Sequence, residues 1–215
     1  MVPTSILTLL QAICLVPPNL ISNCKYVLER DDDLRYGNER IFAYELYRQW
    51  ENLIEYNNED MVISAEVPKK FCEEQYLEYL SKIFGYSKKG KIRSCFFPDL
   101  VYHHSQYDSH IQELICEIKT LDGLKDKSSP KLITDLKKLS AYMRKETLLT
   151  HPFNKGAFIL LGGTMKDIKK RYRSEPMVEE KAKDIYCITY NLRRQGDNCY
   201  IPIISIELLS SLLSF

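Results

Sequence analysis

Residues 97–120, FPDLVYHHSQYDSHIQELICEIKT, decide how this chain is read. They hold two short apolar runs joined by the polar connector HSQYDSH, which suits a hairpin. Pro98-Asp99 opens the first run, and Glu117-Ile118-Lys119 closes the second. On paired strands these groups would put two carboxylates and one ammonium at one spot. Glu117 and Lys119 are two apart, so they share a strand face with Ile115 while Cys116 and Ile118 take the other. Charges at the end of an apolar strand are costly to bury unless they are paired or bind an ion. The plain alternative is a cross-strand salt bridge, with Asp99 as a turn acid.

Downstream, residues 131–145 predict a helix with Leu132, Leu136, Leu139 and Met143 in phase. Its other faces set Lys131, Lys137, Lys138, Arg144 and Lys145 against Asp135. GAFILL, 156–161, reads as a fully apolar strand. Gly162-Gly163-Thr164 then turns the chain into a basic helix, 165–173. Residues 175–183 read as helical, 184–191 as a strand, 193–198 as a turn, and 202–215 as an apolar strand or helix.

Upstream, Asn38 caps a predicted helix running to about Tyr56, with Phe42, Leu46, Trp50 and Leu53 as its buried stripe. Glu39 stands at the end of that stripe, where an acid is either a first-turn cap or part of a site. Residues 61–67 form a predicted strand, 71–84 a helix, 85–91 a basic turn and 93–103 a second strand. This order describes a mixed α/β fold around one sheet.

The chain has 215 residues, 45% hydrophobic and 27% charged, which fits a globular protein with one sizeable core. A net charge of +1 excludes a global attraction to nucleic acid and leaves only local patches. Three such patches exist: Lys88 to Arg93, the helix 131–145, and Lys166, Lys169, Lys170, Arg171 and Arg173. Each taken singly also fits a solvated face. The seven cysteines are scattered, without CxxC or zinc-finger spacing, which points to a reducing, cytoplasmic setting. His103 and His104 are adjacent on a predicted strand and point to opposite faces, so they do not make a zinc pair.

The apolar run 5–16, SILTLLQAICLV, has no Lys or Arg before it, no clear cleavage site, and Gln11 within it. It is too short to span a bilayer. A packed amphipathic helix is the better reading than a secretion signal or membrane anchor. Residues 1–35 are expected to form an extension packing on the core, and 36–215 the main domain.

Pro98-Asp99 and Glu117-Ile118-Lys119 together resemble the motif of the PD-(D/E)XK, or restriction-endonuclease-like, nuclease superfamily. Asn38-Glu39-Arg40, Asp135-Leu136-Lys137-Lys138-Leu139 and the strand GAFILLGG also look like its bacterial members. The resemblance covers about residues 36–165. It implies an αβββαβ core with a central mixed sheet flanked by helices, to which the N- and C-terminal parts are additions. It implies a Mg2+ or Mn2+ ion held by Asp99, Glu117 and the Ile118 carbonyl, with Lys119 positioning or activating water and Glu39 assisting. The expected substrate is DNA, or else RNA, with Lys137, Lys138, Lys169, Lys170 and Arg171 as candidates for its backbone. Two rivals stand beside this reading. One is a non-catalytic nucleic-acid or protein-binding module on the same fold. The other is association through the apolar ends, and a homodimer fits both that and the nuclease.

Overall fold

The computed structural model describes residues 2–22, 39–57, 60–65, 98–104, 112–124, 131–144, 152–195 and 199–213. The helix expected at 71–84 and the basic turn at 85–91 lie outside these residues, as do Lys88, Lys89, Lys91 and Arg93. The helices are α1 (Thr4–Leu15), α2 (Pro18–Ser22), α3 (Glu39–Asn57), α4 (Lys131–Tyr142), α5 (Met165–Arg171), α6 (Pro176–Lys181) and α7 (Leu209–Leu213). The strands are β1 (Met61–Ala65), β2 (Leu100–His104), β3 (Gln112–Thr120), β4 (Lys155–Leu161), β5 (Ile185–Arg194) and β6 (Tyr200–Leu208).

The strands form one open, mixed sheet in chain order, β1 to β6. β1–β2 and β2–β3 are antiparallel, β3–β4 and β4–β5 are parallel, and β6 returns antiparallel to β5. The two parallel joints need crossovers, and α4 and α5–α6 supply them. Both central parallel strands are buried on both faces, as their apolar runs require.

Side-chain alternation divides the core in two. Leu114, Cys116, Ile118, Ile159 and Tyr190 face a layer made by α1 and α3. Ile115, Phe158, Leu160 and Cys187 face a layer made by α4, α5, α6 and α7. The α3 stripe is Phe42, Leu46, Trp50 and Ile54. Trp50 stacks on Tyr102 of β2, and Phe42 packs edge-on against Tyr190 of β5. The four residues expected in the core here, Leu132, Leu136 and Leu139 of α4 and Met143 just past its end, are all buried.

The chain departs from expectation at its C-terminal end. Arg193 and Arg194, expected in a turn, extend β5 because they pair with Ile201 and Tyr200. Residues 202–213 divide into both a strand and a helix. At the end of β4, Gly162 takes φ 73°, a left-handed conformation that glycine adopts without strain. Thr164 then caps α5 through a reciprocal capping box with Asp167. The glycine pair is therefore a turn whose following helix start is closed by its own side chains. No helix among the described residues is long and apolar enough to cross a membrane.

Candidate active site

The site grows out of the C-terminal end of β3. The β2–β3 pairing ends at Leu100↔Cys116, yet β3 continues to Thr120. Backbone groups on that edge then need partners other than β2, since buried N–H groups are almost always satisfied. Asp99 supplies one: its Oδ2 accepts from the Ile118 N–H at 2.6 Å, while its own N–H donates to the Cys116 carbonyl. Glu39, at the start of α3, supplies another. Its Oε1 accepts from the Thr120 N–H at 3.1 Å and lies 3.4 Å from the Thr120 hydroxyl. Gly123 must come close here, because a methyl group on it would lie 2.9 Å from Glu39 Oε1 and 3.0 Å from Thr120 Oγ1.

The first-turn cap reading of Glu39 gives way to a tertiary one. Its carboxylate reaches out of α3 to β3, and its Oε2 accepts from Lys119 Nζ at 3.2 Å. Lys119 in turn lies 4.0 Å from Asp135 of α4. All four expected acid and base residues, Glu39, Asp99, Glu117 and Lys119, therefore meet at one end of the sheet. The Ile118 N–H and carbonyl, being on one strand residue, point to the same edge, towards Asp99.

Two further residues come from α4. Lys138 donates to Glu117 Oε2 at 3.2 Å and to Asp135 Oδ1 at 2.9 Å. Asp135 is buried at 4% exposure, an unusual place for an acid unless it is paired, as it is here with Lys138. Spacing alone gives a weak signal for it: 132, 135, 136 and 139 lie on one helical face, so an acid stands inside the apolar stripe. Lys138, expected as a candidate for the nucleic-acid backbone, pairs instead with Glu117 and Asp135. Its side chain is 12% exposed and turns inward, because Glu117 and Asp135 together outbid water for it. Lys137 pairs with Glu175 at 2.6 Å, and Arg171 pairs with Asp167 at 2.9 Å. Lys169 and Lys170 are exposed on α5, a different helix from the one bearing the cluster.

The electrostatics follow from burial. Desolvation, with Asp135 and Asp99 adding to it, pushes the Glu117 carboxyl well above the carboxylate range against the pull of Lys138 and Lys119. Burial also raises Asp99, opposed by Lys119, the Ile118 N–H and Lys138. Burial pulls Lys119 towards neutrality, but Asp135, Asp99, Glu39 and Glu117 win and hold it above the ordinary lysine range. Lys138 is raised in the same way, against its burial, by Glu117 and Asp135. Both ammoniums stay charged at neutral pH. Lys119 is thus suited to holding a negative oxygen or a water, and not to taking a proton.

Glu117 Oε1 and Asp135 Oδ2 are buried without a hydrogen-bond partner. Two orphan carboxylate oxygens in one cluster suit a hard cation, which takes oxygen ligands. Against that, no group of three or more His, Cys, Asp or Glu side chains among the described residues stands at metal-ligand spacing. Lys138 lies between the two acids that would approach one another. His103 Nε2 is 3.1 Å from Ser64 Oγ, away from this cluster and on the β1–β2 side of the sheet. No protein-family model, characterised protein or solved structure matches the chain.

Proposed function

We propose that the chain is a Mg2+- or Mn2+-dependent nuclease of the PD-(D/E)XK superfamily that hydrolyses phosphodiester bonds in DNA. The observation that carries this reading is the convergence of Asp99, Glu117, Lys119 and Glu39 at the end of β3. It is supported by the α3-β1-β2-β3-α4-β4 order, antiparallel through β3 and parallel from β3 to β4. The two orphan oxygens of Glu117 and Asp135 fit a divalent ion that Asp99, Glu117 and the Ile118 carbonyl would hold. Such an ion polarises a phosphate and makes a bound water acidic. Asp99 is kept in place by the Ile118 N–H, and Glu39 holds Lys119 towards the cluster. Lys119, a fixed cation at the rim, would orient the attacking water and stabilise charge on the phosphate. Lys119→Ala is expected to slow manganese-dependent plasmid nicking by at least about a hundredfold. An unchanged rate would remove Lys119 from the site.

The free thiols of Cys14, Cys116, Cys187 and Cys199 are in keeping with a cytoplasmic setting. A homodimer is part of the proposal. β6 is an edge strand and exposes Ile201 and Ile203, at 41% and 45%. The paired change Ile201→Lys with Ile203→Lys should halve the mass seen by light scattering. Equal masses for both proteins would dismiss a β6 dimer.

One observation favours the non-catalytic binding module. Lys138 already pairs with both Glu117 and Asp135, so the cluster is partly compensated without any metal. Calorimetric titration with Mg2+ and Mn2+ separates the readings, since a module of that kind takes up neither ion.

A further inference from the structure

We propose that Lys138 is a resident countercharge that a divalent cation must displace, so that this lysine sets how readily the site takes a metal. The inference rests on the nuclease reading and deepens it. Four carboxylates, from Glu39, Asp99, Glu117 and Asp135, surround two ammoniums, from Lys119 and Lys138. The two cations divide the acids unequally. Lys119 is held at the rim by Glu39, with Asp135 more distant at 4.0 Å. Lys138 holds the two most buried acids, and each by one oxygen only: Glu117 through Oε2 and Asp135 through Oδ1. The other oxygen of each accepts no hydrogen bond: Glu117 Oε1 is buried, and Asp135 Oδ2 is buried 4.0 Å from Lys119 Nζ.

That division has a physical sense. Two buried carboxylates side by side repel, and a cation bonded to both relieves that repulsion. An ammonium carries one charge and three donors, and Lys138 spends two donors here. A small divalent cation brings twice the charge and up to six oxygen positions. It would therefore satisfy the oxygens that Lys138 leaves bare. Lys138 cannot stay in place when that happens, because its own charge would sit against the ion in a poorly screened site. Lys138 thus preserves the acids of the metal-free chain in their places and is also the barrier to loading them.

The test uses the full chain with Mn2+ as the probe. Calorimetry should show Lys138→Gln binding Mn2+ at least about tenfold more tightly than the parent. Lys138→Arg, which keeps the charge, should bind it no more tightly. A second measurement needs no substitution: amine labelling of the parent protein read by mass spectrometry. Lys138 should resist labelling without metal and label severalfold faster with Mn2+. If the parent binds Mn2+ but Lys138→Gln binds no more tightly and the labelling of Lys138 is unmoved, the countercharge role is wrong and the nuclease reading stands. If neither protein binds Mn2+, both fall. Should Lys138→Gln fail to fold, the labelling of the parent decides alone.

Discussion

Glu117→Gln should lower metal-dependent cleavage by about a thousandfold or more while leaving the protein as stable as before, or more so. The first half follows from removing a negatively charged oxygen aimed at the proposed ion. The second half follows from what burial does to that carboxyl. Glu117 is 1% exposed, and desolvation is the largest influence on it, outweighing the attraction of Lys138. Its proton is therefore held more tightly in the folded chain than in the unfolded one. A carboxyl of this kind favours folding fully at pH values below its unfolded pKa, and that advantage is lost as pH rises towards the folded value. Asp99 works in the same direction. Glutamine is neutral at every pH and is spared this loss. The opposing effect is that Lys138 loses one partner, but it keeps Asp135 at 2.9 Å. Melting curves from about pH 4 to 8 should fall with pH less steeply in the variant than in the parent. A drop of several degrees at pH 7 would show instead that the Glu117–Lys138 pair is a net structural asset. Cleavage at the parent rate would take Glu117 out of the chemistry.

The sequence reveals what is local and periodic. β3, α4 and β4 can be found from apolar spacing, because each buries a face whose period is that of its own geometry. Asp99, Glu117 and Lys119 of the 97–120 stretch can be found as well, because charges at the end of an apolar strand are anomalous. What cannot be found is anything fixed by register between distant elements. The Glu39 carboxylate acts as a clamp on Thr120 and Lys119, 81 and 80 positions away in sequence. A helix-first glutamate gives no sign of that from its position, since capping its own helix is an equally good local use, and only the resemblance at Asn38-Glu39-Arg40 singles it out. Lys138 misleads for a similar reason. Lysines on a helix bearing several of them usually face water, and only the packing of α4 on β3 shows that this one meets Glu117. The β5–β6 pairing is also non-local: Arg193 and Arg194 look like turn residues until Ile201 and Tyr200 are seen beside them.

The second large effect concerns α1, which reads in sequence as part of an extension packing on the core and in the fold shares one core cluster with α3. Ile6, Leu9, Ala12, Ile13 and Val16 are all at 0% exposure and share one cluster with Phe42, Leu46 and Trp50 of α3. Burying an aliphatic side chain of that size contributes about 1.5–3 kcal/mol. The four large ones together therefore contribute about 6–12 kcal/mol, as much as the whole net stability of a typical domain, about 5–15 kcal/mol. Deleting residues 1–16 should consequently abolish cooperative unfolding in urea. Leu9→Ala alone should cost about 2–5 kcal/mol and leave a folded protein. The loss should reach the site by a definite route. α1 packs against α3 in the same core cluster, and α3 carries Glu39 at its first residue, so loosening α3 frees the carboxylate that holds Lys119. Leu9→Ala should therefore unfold at lower urea yet cleave at nearly the parent rate well below its midpoint, whereas the deletion should lose both properties together. If the deleted chain still unfolds in one transition with the parent's slope against urea, α1 is an appendage, and α3 is stable on the sheet without it.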